Sequence, residues 1–273
     1  MNASANAASD EVRNAAWGST PGLWPLPTVT EPLARWHRAV ALGGQGRYSL
    51  GAAELDVLER GLPPGHVLGS LAASTRASWL RQMGRHTVAA RFDGAALTRT
   101  GQAGSELFLE AGCDAFVGLA ADALGSGSFG SASALLGRAG RLLAEHDDRE
   151  RLWRPALRLR WVSAELAMLS GDGPASVRHA LDAREEATDT VSLRHRIKTD
   201  LIVAAAHSSV GDVDRAAGLA RTVLDACSEH GLVPLRWAAA MLLNGLGEVT
   251  EPPSVVADSS AVLARRGGIV AGA

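Results

Sequence analysis

The chain has 273 residues, of which 47 % are hydrophobic, 21 % charged and 4 % aromatic, and its formal net charge is −2. That hydrophobic share supports a packed core and excludes a globally disordered chain, while the lack of a basic excess argues against nucleic acid as a partner. No run approaches the ~20 apolar residues of a bilayer span, and no basic segment leads into an apolar one at the N-terminus, as in a secretory leader.

Residues 1–29 read as a flexible Pro/Gly-containing tail. Met1 to Ser9 is Ala, Asn and Ser, and Trp17-Gly18-Ser19-Thr20-Pro21-Gly22-Leu23-Trp24-Pro25-Leu26-Pro27 repeats Pro and Gly too often for a helix. An exposed Trp is costly, so Trp17 and Trp24 are expected to dock, on the chain's own first helix in preference to a partner. Thr30 is the expected N-cap of that helix, with Pro32 in its first turn.

From there apolar segments of helical period alternate with Gly-centred turns. Five turns share a Gly, often an apolar residue two later, and a small residue five later. They are Gly46 with Tyr48 and Gly51, Gly84 with His86 and Ala89, Gly127 with Phe129 and Ala132, Gly171 with Ser176, and Gly211 with Val213 and Ala216. After Gly127, Ala132, Leu135, Leu136, Ala139 and Leu142 recur at helical spacing; before Gly171, Leu157, Trp161, Ala164 and Met168 form one stripe. The unit is helix, Gly turn, helix, about 40 residues long. Glycine accepts the positive φ that ends a helix, and the small residue five later marks the closest approach of the two helices. One such hairpin cannot bury both faces, so hairpins stack. A sixth is expected from Leu232–Leu246 and Val255–Arg265, across the irregular turn Gly247 to Pro253. The expected division is a tail at 1–29, a repeat domain at 30–246, and a capping helix with a frayed end at 247–273.

These turns resemble those of the tetratricopeptide-repeat (TPR) superfamily, whose paired helices meet at a Gly-x-aromatic-x2-Ala turn. The resemblance covers residues 30 to about 230 and is best at Gly127-Phe129-Ala132-Leu136-Ala139 and at Gly211 to Ala216. The array departs from the family in its longer and variable spacing, in Gly51 at the small position, and in the fourth turn, which lacks the apolar residue. The resemblance implies an all-α, right-handed superhelix of antiparallel helical hairpins; longer two-helix repeats of the HEAT class, or another helical array, are the alternatives.

Motifs for chemistry are sparse. There is no phosphate-cradling Gly motif and no HExxH. Gly125 to Ser131 is Gly/Ser-rich, but Ala120–Leu124 before it reads as helix, whereas a nucleophile elbow needs a strand. The eight histidines form no i, i+4 pair, so neither a metal nor a cofactor is expected; His86 occupies the apolar turn position and reads as packing. Cys113 and Cys227 lie in apolar helical contexts and read as buried thiols, in keeping with a reducing cytoplasm. Glu145 to Arg151 reads as a solvated charged loop. Lys198 is the only lysine, a bias that fits a GC-rich bacterial genome.

Charge register is more informative. Arg151, Arg154 and Arg158 share one helix face, and Arg194 and Lys198 another. Arg158 and Lys198 each precede their turn glycine by thirteen residues, and Arg154 and Arg194 by seventeen. Stacked repeats place equivalent positions side by side, so four cations would meet, neutralised either internally by Asp189 and Asp200 or by an acidic partner. In the TPR family the position thirteen before the turn Gly lines the concave groove. The resemblance therefore implies a partner-binding groove of Arg154, Arg158, Trp161, Glu165, Arg194 and Lys198. The reading is a non-enzymatic scaffold for a protein or peptide, with a ligand-responsive module akin to the helical sensor segments of bacterial transcription regulators, or an enzyme of unrecognised type, as alternatives.

Overall fold

Alanine- and leucine-rich segments at helical period leave the backbone one economical solution, and every regular element is a helix among the residues that the computed structural model describes, 2–101, 107–146 and 149–268. Thirteen helices follow in order: α1 (Asn2–Trp17), α2 (Pro32–Gly44), α3 (Tyr48–Gly61), α4 (Leu68–Gln82), α5 (His86–Leu97), α6 (Phe108–Gly125), α7 (Phe129–Ala144), α8 (Arg149–Leu169), α9 (Gly173–Thr188), α10 (Leu193–Ser209), α11 (Val213–Glu229), α12 (Val233–Gly245) and α13 (Pro252–Arg265). Among them, none is long and apolar enough to cross a membrane.

The five expected hairpin turns recur with one geometry. Gly46, Gly84, Gly127, Gly171 and Gly211 have φ of 73°, 74°, 74°, 77° and 81°. At each, the next residue's N–H reaches back across the helix end, as Arg47 to the Leu42 carbonyl (2.8 Å), Ser128 to Ala123 (2.8 Å) and Asp212 to His207 (3.0 Å). This is a Schellman closure, which satisfies carbonyls the helix end would orphan. The small residues five later, Gly51, Ala89, Ala132, Ser176 and Ala216, are all buried. Gly231 and Gly247 repeat the closure after α11 and α12. A helix, α6, precedes the Gly/Ser-rich turn at 125–131, so no nucleophile elbow forms there.

Two details differ from the sequence reading. The N-cap of α2 is Glu31 instead of Thr30: its Oε1 accepts from the Leu33 N–H (3.0 Å) and its Oε2 from that of Ala34 (2.7 Å). Where a tail was expected, α1 packs its Val12, Ala15 and Ala16 inward. Alanine propensity and one narrow apolar face suffice once a neighbour covers that face. The Asn14 Oδ1 closes the helix end by accepting from the Ser19 N–H (2.9 Å). Trp17 docks on Trp36 of α2, ring centroids 5.5 Å apart, and Trp24 lies under the Arg47 guanidinium, 3.3 Å from its ring centroid.

The chain forms two compact units. Residues 1–61 and 188–273 make one, residues 62–187 the other. This spatial division cuts across the sequence-based one, because both chain ends share the first unit. There the α3 start abuts the α13 end: the Ser49 N–H donates to the Arg266 carbonyl (3.0 Å) and the Arg266 Nη1 to the Gln45 carbonyl (2.7 Å). Its main core gathers Ile197, Leu201, Leu224, Leu232, Leu243 and Val255. In the second unit, Val117, Leu124, Leu136 and Val162 pack around Ala120, Ala132 and Ala139. From the expected charged loop, Asp147 and Asp148 lie outside the described residues, as do residues 269–273 of the expected frayed end.

Candidate functional site

Two of the predicted cations meet carboxylates inside the second unit. Glu110 and Asp114 stand one turn apart on α6, Arg154 and Arg158 one turn apart on α8. The Arg154 Nε donates to the Glu110 Oε1 (2.9 Å), and its Nη1 and Nη2 donate to the two Asp114 oxygens at 3.0 and 2.5 Å. The Arg158 Nη1 shares the Asp114 Oδ1. Arg154 is 5 % exposed and Asp114 3 %. Burial pushes the Asp114 carboxyl up, but Arg154 and Arg158 outweigh it and leave its pKa below the ordinary value. Burial likewise opposes the Arg154 charge, and Asp114 and Glu110 more than offset it.

For Arg154 and Arg158 the internal counter-charge is Glu110 and Asp114, two carboxylates beyond the Asp189 and Asp200 expected from the sequence. The signal was present. Asp114 precedes Gly127 by the same thirteen residues as Arg158 precedes Gly171, and Glu110 by the same seventeen as Arg154. The register rule that aligned Arg154 with Arg194 also aligns it, one hairpin earlier, with a carboxylate. Trp161, expected to line the groove, is 5 % exposed and belongs to the core, as do Leu157 and Ala164 of the same stripe. Arg154 and Trp161 are thus interior residues; Arg158 and Glu165 are half-buried.

Arg194 and Lys198 belong to the other unit. The Arg194 guanidinium lies 5.8 Å from the Trp17 ring centroid, and its Nη2 faces the Ala16 carbonyl at 3.4 Å. Gly44 makes room, because a Cβ there would come within 3.0 Å of the Arg194 Cδ. Next to it, His195 packs on Trp17 at 5.7 Å and its Nδ1 pairs with the Ser192 hydroxyl at 2.7 Å. Arg194 thus helps hold α1 in place. Lys198 is half-buried, one turn further along α10.

A second ionic cluster in unit 62–187 escaped the sequence reading. The Arg81 Nη1 contacts the Asp93 Oδ2 (3.0 Å) and the Asp122 Oδ1 (2.7 Å) and donates to the Gly118 carbonyl (2.9 Å). Gly118 is required there, since a Cβ would fall 2.2 Å from the Asp93 Oδ2. His86 packs against Gly125, as its turn position predicts, and its Nδ1 lies 3.6 Å from the Asp122 Oδ1. Burial pushes the Asp93 carboxyl up to about 6, against the pull of Arg81, and burial raises that of Asp122 too. One guanidinium thus serves two interior carboxylates. Nothing in the local sequence marks them, because each sits singly in an Ala/Gly-rich stretch.

Compared with the models of known protein families and with curated proteins, the sequence matches none. Among the described residues, no three His, Cys, Asp or Glu side chains converge as a metal site would require.

Proposed function

We propose that the chain is a non-enzymatic interaction scaffold, a right-handed superhelix of TPR-like hairpins that holds a protein or peptide segment. The observation that supports this reading is the turn itself. The same positive-φ Gly closure, with a buried small residue five positions later, recurs at all five hairpins, and a repeated close-packed hairpin is what builds extended binding surfaces in helical arrays. Arg154 and Trp161 serve this reading from inside, by fixing α8. In the unit 62–187 the half-buried Arg158 and Glu165 of α8 are offered to the partner, and in the other unit Lys198 of α10, one turn from Arg194, is offered to an acidic group. The two buried thiols and the Arg-rich, Lys-poor composition support the cytoplasm of a GC-rich bacterium as the setting.

The test is crosslinking of the full chain in its native cell, followed by mapping of the crosslinks. A single protein attached through α8 or α10, released by Lys198→Glu with the fold intact, is the expected result. Crosslinks confined to other helices, or binding indifferent to Lys198→Glu at low salt, would overturn the site. A second reading, a ligand-responsive regulatory module, is favoured by one observation: the Arg47 guanidinium has no acceptor among the described residues. A small molecule retained in native mass spectrometry would support that reading.

A further inference from the structure

We propose that the unit formed by residues 1–61 and 188–273 carries an oxyanion site, built by Arg47 and Arg266 beside Trp24, that takes a phosphate-type dianion of a small molecule. Three chain segments meet there. Arg47 follows the Gly46 turn, and its guanidinium is stacked on Trp24 at 3.3 Å, which fixes the plane of its donors. The Gln45 side chain ties the Trp24 loop down by donating to the Pro21 and Leu23 carbonyls at 3.0 and 2.9 Å. Arg266, at the end of α13, straddles Arg47: its Nη1 donates to the Gln45 carbonyl (2.7 Å) and its own carbonyl accepts from the Ser49 N–H (3.0 Å). The junction has no slack, because a Cβ at Gly46 would lie 2.5 Å from Leu263 and one at Gly267 1.8 Å from the Ser49 hydroxyl.

Among the described residues, this junction lacks an anionic acceptor. The Arg47 Nε is buried without a hydrogen-bond partner. Among the described residues, no carboxylate stands within ion-pair distance of Arg47, Arg265 or Arg266. Several other arginines of low exposure do face carboxylates: Arg35 and Arg38 face Glu54, Arg81 faces Asp93 and Asp122, and Arg154 faces Glu110 and Asp114. Burial and then Arg266 both lower the Arg47 pKa, and burial and then Arg265 lower that of Arg266, so the cations repel without relief. A cation that is preoriented on an aromatic ring, partly desolvated, flanked by a second cation and without a carboxylate among the described residues is suited to an anionic acceptor from outside. Guanidinium forks match phosphate oxygens in pairs, and a dianion offsets two cations where a carboxylate offsets one.

This inference deepens the ligand-responsive reading and does not depend on the scaffold: loss of partner capture leaves it standing, and absent phosphate binding leaves the scaffold standing. The test is calorimetric titration of the full chain with inorganic phosphate and, separately, with glycerol 3-phosphate, against chloride at matched ionic strength. One saturable site is expected, weakened about tenfold or more, the scale of a lost charge-assisted hydrogen bond, in Arg47→Met, which keeps the packing on Trp24 and removes the donors. Tighter binding of the ester identifies the phosphoryl group of a metabolite; tighter binding of inorganic phosphate identifies the free ion. Arg47→Met breaks no side-chain hydrogen bond among the described residues and should melt at or above the wild-type temperature without phosphate, while phosphate should raise the melting temperature of the wild type alone. No saturable heat with either anion in the wild type, or the same affinity in Arg47→Met and in Arg265→Gln, would overturn the site.

Discussion

Asp114 and Arg154 meet face to face between α6 and α8, both carboxylate oxygens accepting from the guanidinium at 3.0 and 2.5 Å, with each residue buried. An ion pair so placed holds register more than it adds stability, because desolvation of both partners offsets most of their attraction. Removing one partner is a different matter. Asp114→Ala should cost about 3–5 kcal/mol, since Arg154 would stay buried with only Glu110 to face it. The double variant Asp114→Leu with Arg154→Met should recover much of that loss. Urea unfolding followed by circular dichroism measures both; equal midpoints for the single and the double variant would contradict the account.

The Arg81 cluster predicts a pH dependence of opposite sense to that of Asp114. Burial lifts the Asp93 carboxyl from its ordinary 3.8 to about 6. Between those values the folded chain keeps a proton that the unfolded chain has released. The stability linked to Asp93 is therefore full below about 3.8 and falls as pH rises towards about 6. Asp114, held below its ordinary value, contributes stability that is lost only at lower pH, as its carboxylate takes up a proton. Melting temperature should decline across the Asp93 window in the wild type. Asp93→Asn keeps an acceptor for Arg81 and should flatten the decline; the same slope in both proteins would refute the assignment.

The hairpins were legible in the sequence because each is written locally, in a Gly that accepts positive φ and a small residue five later. The first helix was not. Its Ala, Asn and Ser form no continuous apolar stripe, and its stability comes from Trp36 and His195, residues distant in sequence. The candidate site was legible only in part. The cation register was visible, yet its neutralisation lay in the preceding hairpin at the same register, and only comparison across hairpins exposes Glu110 and Asp114. Asp93 and Asp122 had no local mark at all, because Gly118 matters there through the space it leaves.

Gly211 and Gly46 separate two costs. Both hold positive φ, +81° and +73°, but a Cβ at Gly211 meets nothing within 4 Å, whereas at Gly46 it comes within 2.5 Å of Leu263. Gly211→Ala should therefore cost only the left-handed backbone term, about 1–2 kcal/mol. Gly46→Ala should cost distinctly more, because Leu263 must move as well. Chemical denaturation of the two variants checks the order, and a reversed order would mean that the α2–α3 turn yields more readily than its packing implies.

Cys113 and Cys227 are both fully buried, and burial pushes each thiol up to about 12. The thiolate is the reactive species, so neither should react with a disulfide reagent under native conditions, and both should react in denaturant. Rapid native labelling of either would show an opening of its helix pair that the packing does not foresee.

Trp17 carries the attachment of α1. Its ring lies 5.5 Å from that of Trp36, 6.3 Å from His37 and 5.7 Å from His195, with Arg194 on it at 5.8 Å. Each aromatic pair adds about 0.5–1.5 kcal/mol beyond area burial, whereas the rest of the α1 face offers only Ala8, Val12 and the small side chains near it. An isolated helix of this length is marginal in water, so α1 depends on that docking. Trp17→Ala should cost about 2 kcal/mol or more, less than a fully buried Trp because the ring is half-buried. The loss should also be local. Amide exchange should accelerate along α1 and stay unchanged in α6, α7 and α8 of the other unit. If α1 were a loosely associated tail, its amides would exchange fast in the wild type already, and the substitution would leave both exchange and melting temperature where they were.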